Sequence, residues 1–203
     1  MLHRESNIIL PETFDLLIIL QADEYLKDFF LVGGNTLALR LGHKFSIDIV
    51  LFTNSDFDAN ELNNYLVRDY GLHTKTIQKN TIMGFVKGIK VDFIAHKYRL
   101  LYPLFQVDGV SMAELLNIAA MKLNAIGYSG HRYKDFIDIF FLLKLYPLEK
   151  MVDTFCEKYP SSNGQGLAKW GNLENVSSNL AQKFNRITNV QLLPSAPILP
   201  NPC

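Results

Sequence analysis

The chain has 203 residues, 48% hydrophobic and 20% charged, a composition typical of a globular protein with one or two domains. Twenty basic residues balance twenty acidic ones, which argues against a broad nucleic-acid-coating surface but leaves room for a local basic cleft. We expect neither a membrane span, which needs roughly 20 apolar residues, nor a signal peptide. Cys156 and Cys203 are widely separated, which disfavours a metal cluster or a disulfide framework and predicts a cytoplasmic location.

The first quarter of the chain alternates helical and strand-like patterns. Apolar residues recur at helical spacing from Pro11 to about residue 25, which predicts a helix packed on one face. The apolar run 29–32 predicts a buried strand that stops at Gly33-Gly34, where a short helix begins, and Gly42 lies in the position of its C-cap. The next apolar segment, 47–52, predicts a second strand.

Asp48 is the unusual residue of that second strand, because its neighbours are apolar. A carboxylate is costly to bury there unless a cation or a hydrogen-bond network holds it. A glycine-bearing turn that opens a helix, with strand carboxylates beside it, suits a nucleotide and its metal. Backbone N–H groups face the phosphates, and the acid holds Mg²⁺ against them. The stretch 29–52 is therefore the predicted functional centre of the chain.

Strands and turns continue up to about residue 100. A turn cluster at 53–58 leads into a predicted helix near 59–69, which Gly71 ends. Three strands are then predicted, and the last two form a hairpin at Lys87-Gly88. The third of these strands again sets one aspartate, Asp92, among apolar residues. The three predicted strands are 72–78, 81–87 and 89–95.

Helical patterns dominate the C-terminal half. The segment 103–109 is predicted to be a connector, and Ser111 with Glu114 has the form of a capping box that starts a helix ending near Gly127. Four prolines within 194–202 predict an extended or disordered tail. Further helices are predicted from about residue 132 up to Pro147 and at 148–159 and 167–187. The predicted organisation is a mixed α/β domain at 1–105, a helical domain at 106–190 and a proline-rich tail at 191–203.

Four blocks of the sequence together resemble the AbiEii-type nucleotidyltransferases, toxins of abortive-infection (type IV) toxin–antitoxin systems. The blocks are Gly-Gly-Asn-Thr-Leu-Ala-Leu-Arg-Leu-Gly-His-Lys at 33–44 with Ser-Ile-Asp at 46–48, Lys-Val-Asp at 90–92, Ala-Met-Lys-Leu-Asn-Ala at 120–125, and Arg-Tyr-Lys-Asp-Phe-Ile-Asp at 132–138. The resemblance covers roughly residues 10–145 and is carried by the order and spacing of the blocks. It implies an α+β fold, the DNA polymerase β-like nucleotidyltransferase fold, in which a mixed sheet flanked by helices precedes a helical half.

The resemblance also implies roles for individual residues. A D-x-D pair and a third aspartate hold Mg²⁺ in the family, in a two-metal arrangement. Matched by position, Asp48 is the first metal ligand and Asp92 the third. The remaining matches are Gly33, Gly34 and Asn35 as the phosphate turn, Lys122 as a phosphate contact, and Arg132, Lys134, Asp135 and Asp138 as shapers of the nucleotide or acceptor site. The implied partners are an NTP, an RNA acceptor such as the tRNA 3′ end, and a cognate antitoxin protein.

Val50 departs from the family pattern, because it stands where the second aspartate of the D-x-D pair belongs. Side chains 48 and 50 still share one face of an extended strand. Mg²⁺ requires near-octahedral oxygen coordination, and valine supplies no oxygen. Loss of a shared ligand is expected to cost several kcal/mol of transition-state stabilisation, with about three orders of magnitude in rate for each 4 kcal/mol. A single weakly held ion between Asp48 and Asp92 remains compatible with the sequence.

Each candidate also has a structural interpretation. Asp56 and Asp58 form a second D-x-D, but their turn context favours helix capping. Asn35 could simply cap its helix, and Lys122 could extend along an apolar surface to reach solvent. Asp135 and Asp138 could form ion pairs instead of binding a ligand. Positive charge at His43 and Lys44 is favoured by the helix dipole, without any functional role.

Two functions follow from the sequence. The first is Mg²⁺-dependent transfer of a nucleoside monophosphate from an NTP to an RNA acceptor, weakened by Val50. The second is a catalytically inactive relative that binds a nucleotide or a partner protein. A purely structural module is disfavoured because it leaves two strand aspartates unexplained.

Overall fold

The computed structural model describes residues 1–129 and 133–160, which fold as a mixed α/β unit followed by helices. The chain divides into two compact units, and the boundary between them lies after Glu114. The helices are α1 Pro11–Gln21, α2 Gly33–Leu41, α3 Ala59–Tyr70, α4 Leu115–Ser129, α5 Tyr133–Leu142 and α6 Leu148–Lys158. The strands are β1 Phe30–Leu31, β2 Ile49–Thr53, β3 His73–Gln78, β4 Thr81–Val86, β5 Ile89–Ala95, β6 Phe105–Val107 and β7 Val110–Met112.

The seven strands form one mixed sheet in the order β3-β4-β5-β2-β1-β7-β6. β2 runs parallel to β5, and β1 runs parallel to β7, while the remaining neighbours are antiparallel. The α+β class and the mixed sheet predicted from the sequence are confirmed. The central position of β2 places the residues before and after it between β1 and β5.

One face of the sheet belongs to the hydrophobic core of the N-terminal unit. Alternate residues of the central strands are buried on this face, and they pack in one cluster with leucines of α1 and α3. Complete burial of such a side chain contributes about 1.5–3 kcal/mol relative to exposure. The buried strand residues include Ile49, Leu51, Ile82, Val86, Val91 and Phe93, and the helix residues include Leu17, Leu20, Leu62 and Leu66.

Glycines end the two helices where the sequence predicts their ends. Gly42 follows α2 with φ 60°, and Gly71 follows α3 with φ 65°. Both lie in the left-handed region, where a residue without Cβ is favoured. The hairpin between β4 and β5 turns at Lys87 and Gly88, as predicted, with φ 50° and 82°.

The prediction of a connector at 103–109 is wrong, because Phe105–Val107 and Val110–Met112 form a hairpin. The second strand of this hairpin pairs with β1, so the hairpin belongs to the first compact unit, Met1–Glu114. The predicted capping box is also wrong. Ser111 lies within β7, where its backbone N–H donates to Gln21 Oε1 at 3.1 Å, and the helix begins at Leu115.

One further expectation changes in detail. The first helix ends at Gln21, and a 3-10 turn at Glu24–Leu26 follows it. Within the described parts of the chain, no helix is long and apolar enough to cross a bilayer. The helix predicted at 167–187, the proline-rich tail at 191–203, Arg132 and Cys203 lie outside the described residues.

Candidate functional site

The second face of the sheet is only half-buried, and it carries Asp92. Along β2 and β4, residues alternate between buried and half-buried positions. Val50 and Phe52 occupy the half-buried positions of β2, and Met83 occupies one in β4. Asp92 pairs in register with both Val50 and Met83, so it lies on this more open face.

The register between β2 and β5 brings the two predicted metal ligands to neighbouring positions. Ile49 pairs with Val91, and Val50 pairs with Asp92. Asp48 directly precedes β2, one residue before this register begins. Because side chains alternate along an extended chain, Asp48 and Val50 share the face that carries Asp92. Asp48 is partly exposed, whereas Asp92 is 5% exposed.

The diglycine turn lies beside Asp48, because β1 pairs with the other edge of β2. The Val32 N–H donates to the Val50 carbonyl at 2.9 Å, and α2 begins at the next residue. Asn35 Nδ2 then donates to the Asp48 carbonyl at 2.6 Å. This hydrogen bond ties the first turn of α2 to the backbone that carries Asp48.

Asn35 does not cap its helix, because the N-cap position belongs to Val32, which makes no side-chain cap hydrogen bond. The Asn35 side chain is fully buried, and its Oδ1 has no hydrogen-bond partner among the described residues. A buried amide oxygen without a partner is uncommon, and its desolvation is unfavourable. The Asn35 side chain therefore holds the backbone of Asp48 in place through its Nδ2 hydrogen bond. Its Oδ1 is an acceptor that no described group satisfies.

The diglycine turn lies beside two polar side chains that the sequence does not predict as site residues. A Cβ built on Gly34 would lie 3.3 Å from Ser46 Oγ and 3.5 Å from Lys44 Nζ. Gly33 has φ 73°, a left-handed value that favours glycine. A hydroxyl, an ammonium and the N-terminus of a helix are groups that hold phosphate oxygens. Both residues belong to the motif block at 33–48, which is the signal that could have identified them.

The donors around Asp92 do not fit a two-metal site. Lys90 Nζ lies 2.7 Å from Asp92 Oδ2, and Asp92 Oδ1 is buried without a hydrogen-bond partner among the described residues. One oxygen therefore has an ammonium partner, and the other is inaccessible to a hydrated Mg²⁺. Val50, the registered neighbour of Asp92, adds no oxygen. Within the described residues, no three His, Cys, Asp or Glu side chains are grouped so as to hold a metal ion.

The predicted phosphate contact of the helical unit, Lys122, lies between two buried carboxylates. Its Nζ is 2.5 Å from Asp135 Oδ1 and 2.8 Å from Asp138 Oδ2. Asp138 is fully buried, and the Lys122 side chain is 13% exposed. These contacts join α4 to α5, which is the ion-pair arrangement considered from the sequence. Lys134 lies exposed on α5.

The second D-x-D is a capping motif, as the turn context predicts. Asp58 is the N-cap of α3, and its Oδ1 accepts the backbone N–H groups of Asn60 and Glu61 at 2.8 and 3.0 Å. Asp56 pairs instead with Lys97 at 2.7 Å, and both side chains are well exposed. Neither aspartate belongs to the face that carries Asp92.

No protein-family model matches the chain. An uncharacterized protein of Aquifex aeolicus (strain VF5) is 35% identical over 135 residues, and the match spans 62% of this chain and 65% of that protein. The chain therefore spans just under two thirds of the length of this curated relative.

Two solved structures are similar in fold at low sequence identity. An antigenic nucleotidyltransferase-like protein from Paracoccidioides brasiliensis has a TM-score of 0.49 and 14% identity, with 82% of this chain and 94% of that chain covered. The Megavirus polyadenylate synthase has a TM-score of 0.47 and 20% identity, with 68% of this chain and 32% of that chain covered.

Proposed function

We propose that the chain is a nucleotidyltransferase of reduced activity, which binds a nucleoside triphosphate between the diglycine turn and the face of the sheet that carries Asp48 and Asp92. The observation that carries this proposal is the convergence of the two aspartates beside the N-terminus of α2. The register of β2 with β5 and the Asn35–Asp48 hydrogen bond produce that convergence. The motif blocks that resemble the AbiEii family support the same assignment.

The proposed roles follow from the chemistry of the groups. The first N–H groups of α2, at Gly33 and Gly34, are the proposed contacts for phosphate oxygens, and Lys44 is a proposed cation beside them, with its Nζ 3.5 Å from the position of a Gly34 Cβ. Asp48 is the proposed acid nearest this turn. The reaction is attack of an acceptor hydroxyl oxygen on the α-phosphorus, with pyrophosphate as the leaving group and the hydroxyl proton passing to a base.

The resemblance also implies a role in shaping a nucleotide or acceptor site for residues of the helical unit, and this role stays a prediction. These residues are Lys122, Lys134, Asp135 and Asp138, with Arg132 outside the described residues. The RNA acceptor, a tRNA 3′ end above all, the cognate antitoxin and the cytoplasmic location are further parts of this proposal, whereas the Mg²⁺ requirement that the resemblance implies applies to a completed site such as that of Val50→Asp. They rest on the resemblance and on the sequence.

The reduced activity is proposed because the residues around Asp92 do not complete a metal site. Val50 takes the second ligand position, and Lys90 pairs with the third ligand. We expect transfer by the native chain to be about three orders of magnitude slower than with a complete site, which corresponds to about 4 kcal/mol.

Restoration of the missing carboxylate tests the proposal. Purified native protein and the Val50→Asp variant are incubated with each labelled NTP, tRNA and Mg²⁺, and label transfer to RNA is measured. We expect Val50→Asp to raise the rate, and the double variant Val50→Asp/Asp48→Asn to abolish the gain. Absence of transfer by Val50→Asp with all four NTPs would contradict the proposed reaction.

The second candidate function is nucleotide binding without transfer. The Lys90–Asp92 ion pair favours this second function, because the Asp92 carboxylate, on which the transfer chemistry depends, is already paired with an ammonium. Calorimetry that detects NTP binding, together with no transfer by the native chain at any Mg²⁺ concentration, would select this function over the first.

A further inference from the structure

Lys90 belongs to the Lys-Val-Asp block at 90–92, and the resemblance assigns it no role, yet it contacts one of the two proposed ligands. It is two residues before Asp92 on the same strand, so both side chains share one face of the sheet. Its Nζ donates to Asp92 Oδ2 at 2.7 Å. The register of β2 with β5 begins at Ile49 and Val91, which directly follow Asp48 and Lys90, so Lys90 lies on the strand beside the segment that carries the other proposed ligand.

We propose that Lys90 is a fixed cation that replaces a divalent metal ion in this site, so that the chain binds a polyphosphate without Mg²⁺. This inference rests on the proposed function, because it assigns the triphosphate-binding group of that same site. The ligand class is a linear triphosphate, either inorganic or carried by a nucleoside.

The geometry of Lys90 suits contact with a ligand as well as with Asp92. An ammonium has three donors, and Asp92 Oδ2 accepts one of them. The Lys90 side chain is 39% exposed, whereas the Asp92 side chain is 8% exposed. Asp92 therefore anchors the lysine from the buried side, and the other donors are available on the open side for phosphate oxygens.

The same geometry disfavours a divalent ion. A Mg²⁺ ion bound to Asp92 would have to displace the ammonium from Oδ2 or accept a like charge within a few ångströms. Asp92 Oδ1 offers no alternative, because it is buried away from water. Val50 also disfavours a divalent ion, because valine lacks the negative charge and the oxygen that a carboxylate at this position would offer.

Tripolyphosphate and Mn²⁺ are suitable probes, because the preferred base is unknown. Calorimetry of the full chain measures tripolyphosphate binding in excess EDTA and in Mg²⁺. We expect the affinity of the native protein to change by less than about threefold between the two buffers, and Lys90→Ala to lower it at least about tenfold in EDTA, or 1.4 kcal/mol. Lys90→Arg, which keeps the charge, should retain most of the binding.

Lys75→Ala is the matched control, because Lys75 is an exposed lysine on β3, at the edge of the same sheet. It should bind like the native protein. Thermal unfolding of each variant shows whether a loss of binding follows from a loss of structure. Equal affinities of Lys90→Ala and Lys75→Ala would overturn the proposal, and so would a native affinity that collapses in EDTA.

Electron paramagnetic resonance of Mn²⁺ without nucleotide gives a second readout. We expect the native protein to bind no Mn²⁺, and the double variant Val50→Asp/Lys90→Ala to gain a site. Mn²⁺ binding by the native protein that Asp92→Asn removes would overturn the proposal while leaving the proposed function intact. Failure of the native protein to bind tripolyphosphate or any NTP, in either buffer, would overturn both.

Discussion

Substitution of Gly34 can test ligand binding without disturbing the fold. No left-handed backbone is required there, unlike at Gly33, so alanine is compatible with the helix. Its Cβ would lie 3.3 Å from Ser46 Oγ and would occupy the space beside the Lys44 ammonium. We expect Gly34→Ala to lower triphosphate affinity about tenfold, measured by calorimetry.

The same substitution should leave stability unchanged or slightly higher, because alanine is favoured over glycine in helices by up to about 1 kcal/mol. Thermal unfolding measures this. Native-like triphosphate affinity in Gly34→Ala would show that the ligand does not approach the turn.

A second residue-scale prediction concerns the tyrosines around Asp23. The Tyr65 hydroxyl donates to Asp23 Oδ2 at 2.5 Å, and the Tyr70 hydroxyl donates to the same oxygen. The hydrogen bond to Asp23, followed by burial, raises the pKa of Tyr65 to about 12 from 10.0. Burial, followed by the hydrogen bond to Asp23, raises the pKa of Tyr70 as well.

The folded protein therefore holds these phenol protons more tightly than the unfolded chain does. Stability from this source is complete below pH 10 and is lost as the pH rises toward about 12. We expect thermal stability to fall more steeply over this window in the native protein than in Tyr65→Phe. Parallel pH profiles of the two proteins would contradict this interpretation.

At the scale of single elements, the N-cap of α3 is a specific test of the Asp56-Phe57-Asp58 motif. Asp58→Ala removes the acceptor for two backbone N–H groups and should lower the free energy of unfolding by about 1 kcal/mol, measured by urea denaturation. Asp56→Ala is the control and should have a smaller effect, because its ion pair with Lys97 is exposed. A larger loss of stability in Asp56→Ala than in Asp58→Ala would show that Asp56 has a role beyond its ion pair with Lys97.

At the scale of the whole molecule, Lys122 should stabilise only the helical unit. Lys122→Met leaves Asp135 and Asp138 buried without this ammonium, and we expect a loss of about 3 kcal/mol from that unit. Hydrogen exchange should show weaker protection of α4 and α5 and unchanged protection of the sheet. Lys134→Met, an exposed position on α5, should change stability by less than about 0.5 kcal/mol. Equal loss of protection in the sheet would contradict this assignment.

The features that the sequence predicts correctly are those that depend on near neighbours along the chain. Gly42 and Gly71 end their helices, Asp58 caps α3, and Lys87 with Gly88 turns the β4–β5 hairpin. In each case the conformation follows from the backbone freedom of one residue or from a hydrogen bond spanning a few residues. The sequence alone therefore determines where most helices and strands begin and end.

The tertiary structure decides the features that depend on distant partners. Phe105–Val107 becomes a strand only because its hairpin partner adds to β1, about 80 positions earlier in the chain. The pairing of Val50 with Asp92, the Lys90–Asp92 ion pair and the contacts of Lys122 with Asp135 and Asp138 likewise depend on register and helix packing. The sequence by itself determined which residue types could carry the chemistry. Only the fold decided which of them meet, because hydrogen-bonded register and side-chain packing join residues whose distance along the chain carries no such information.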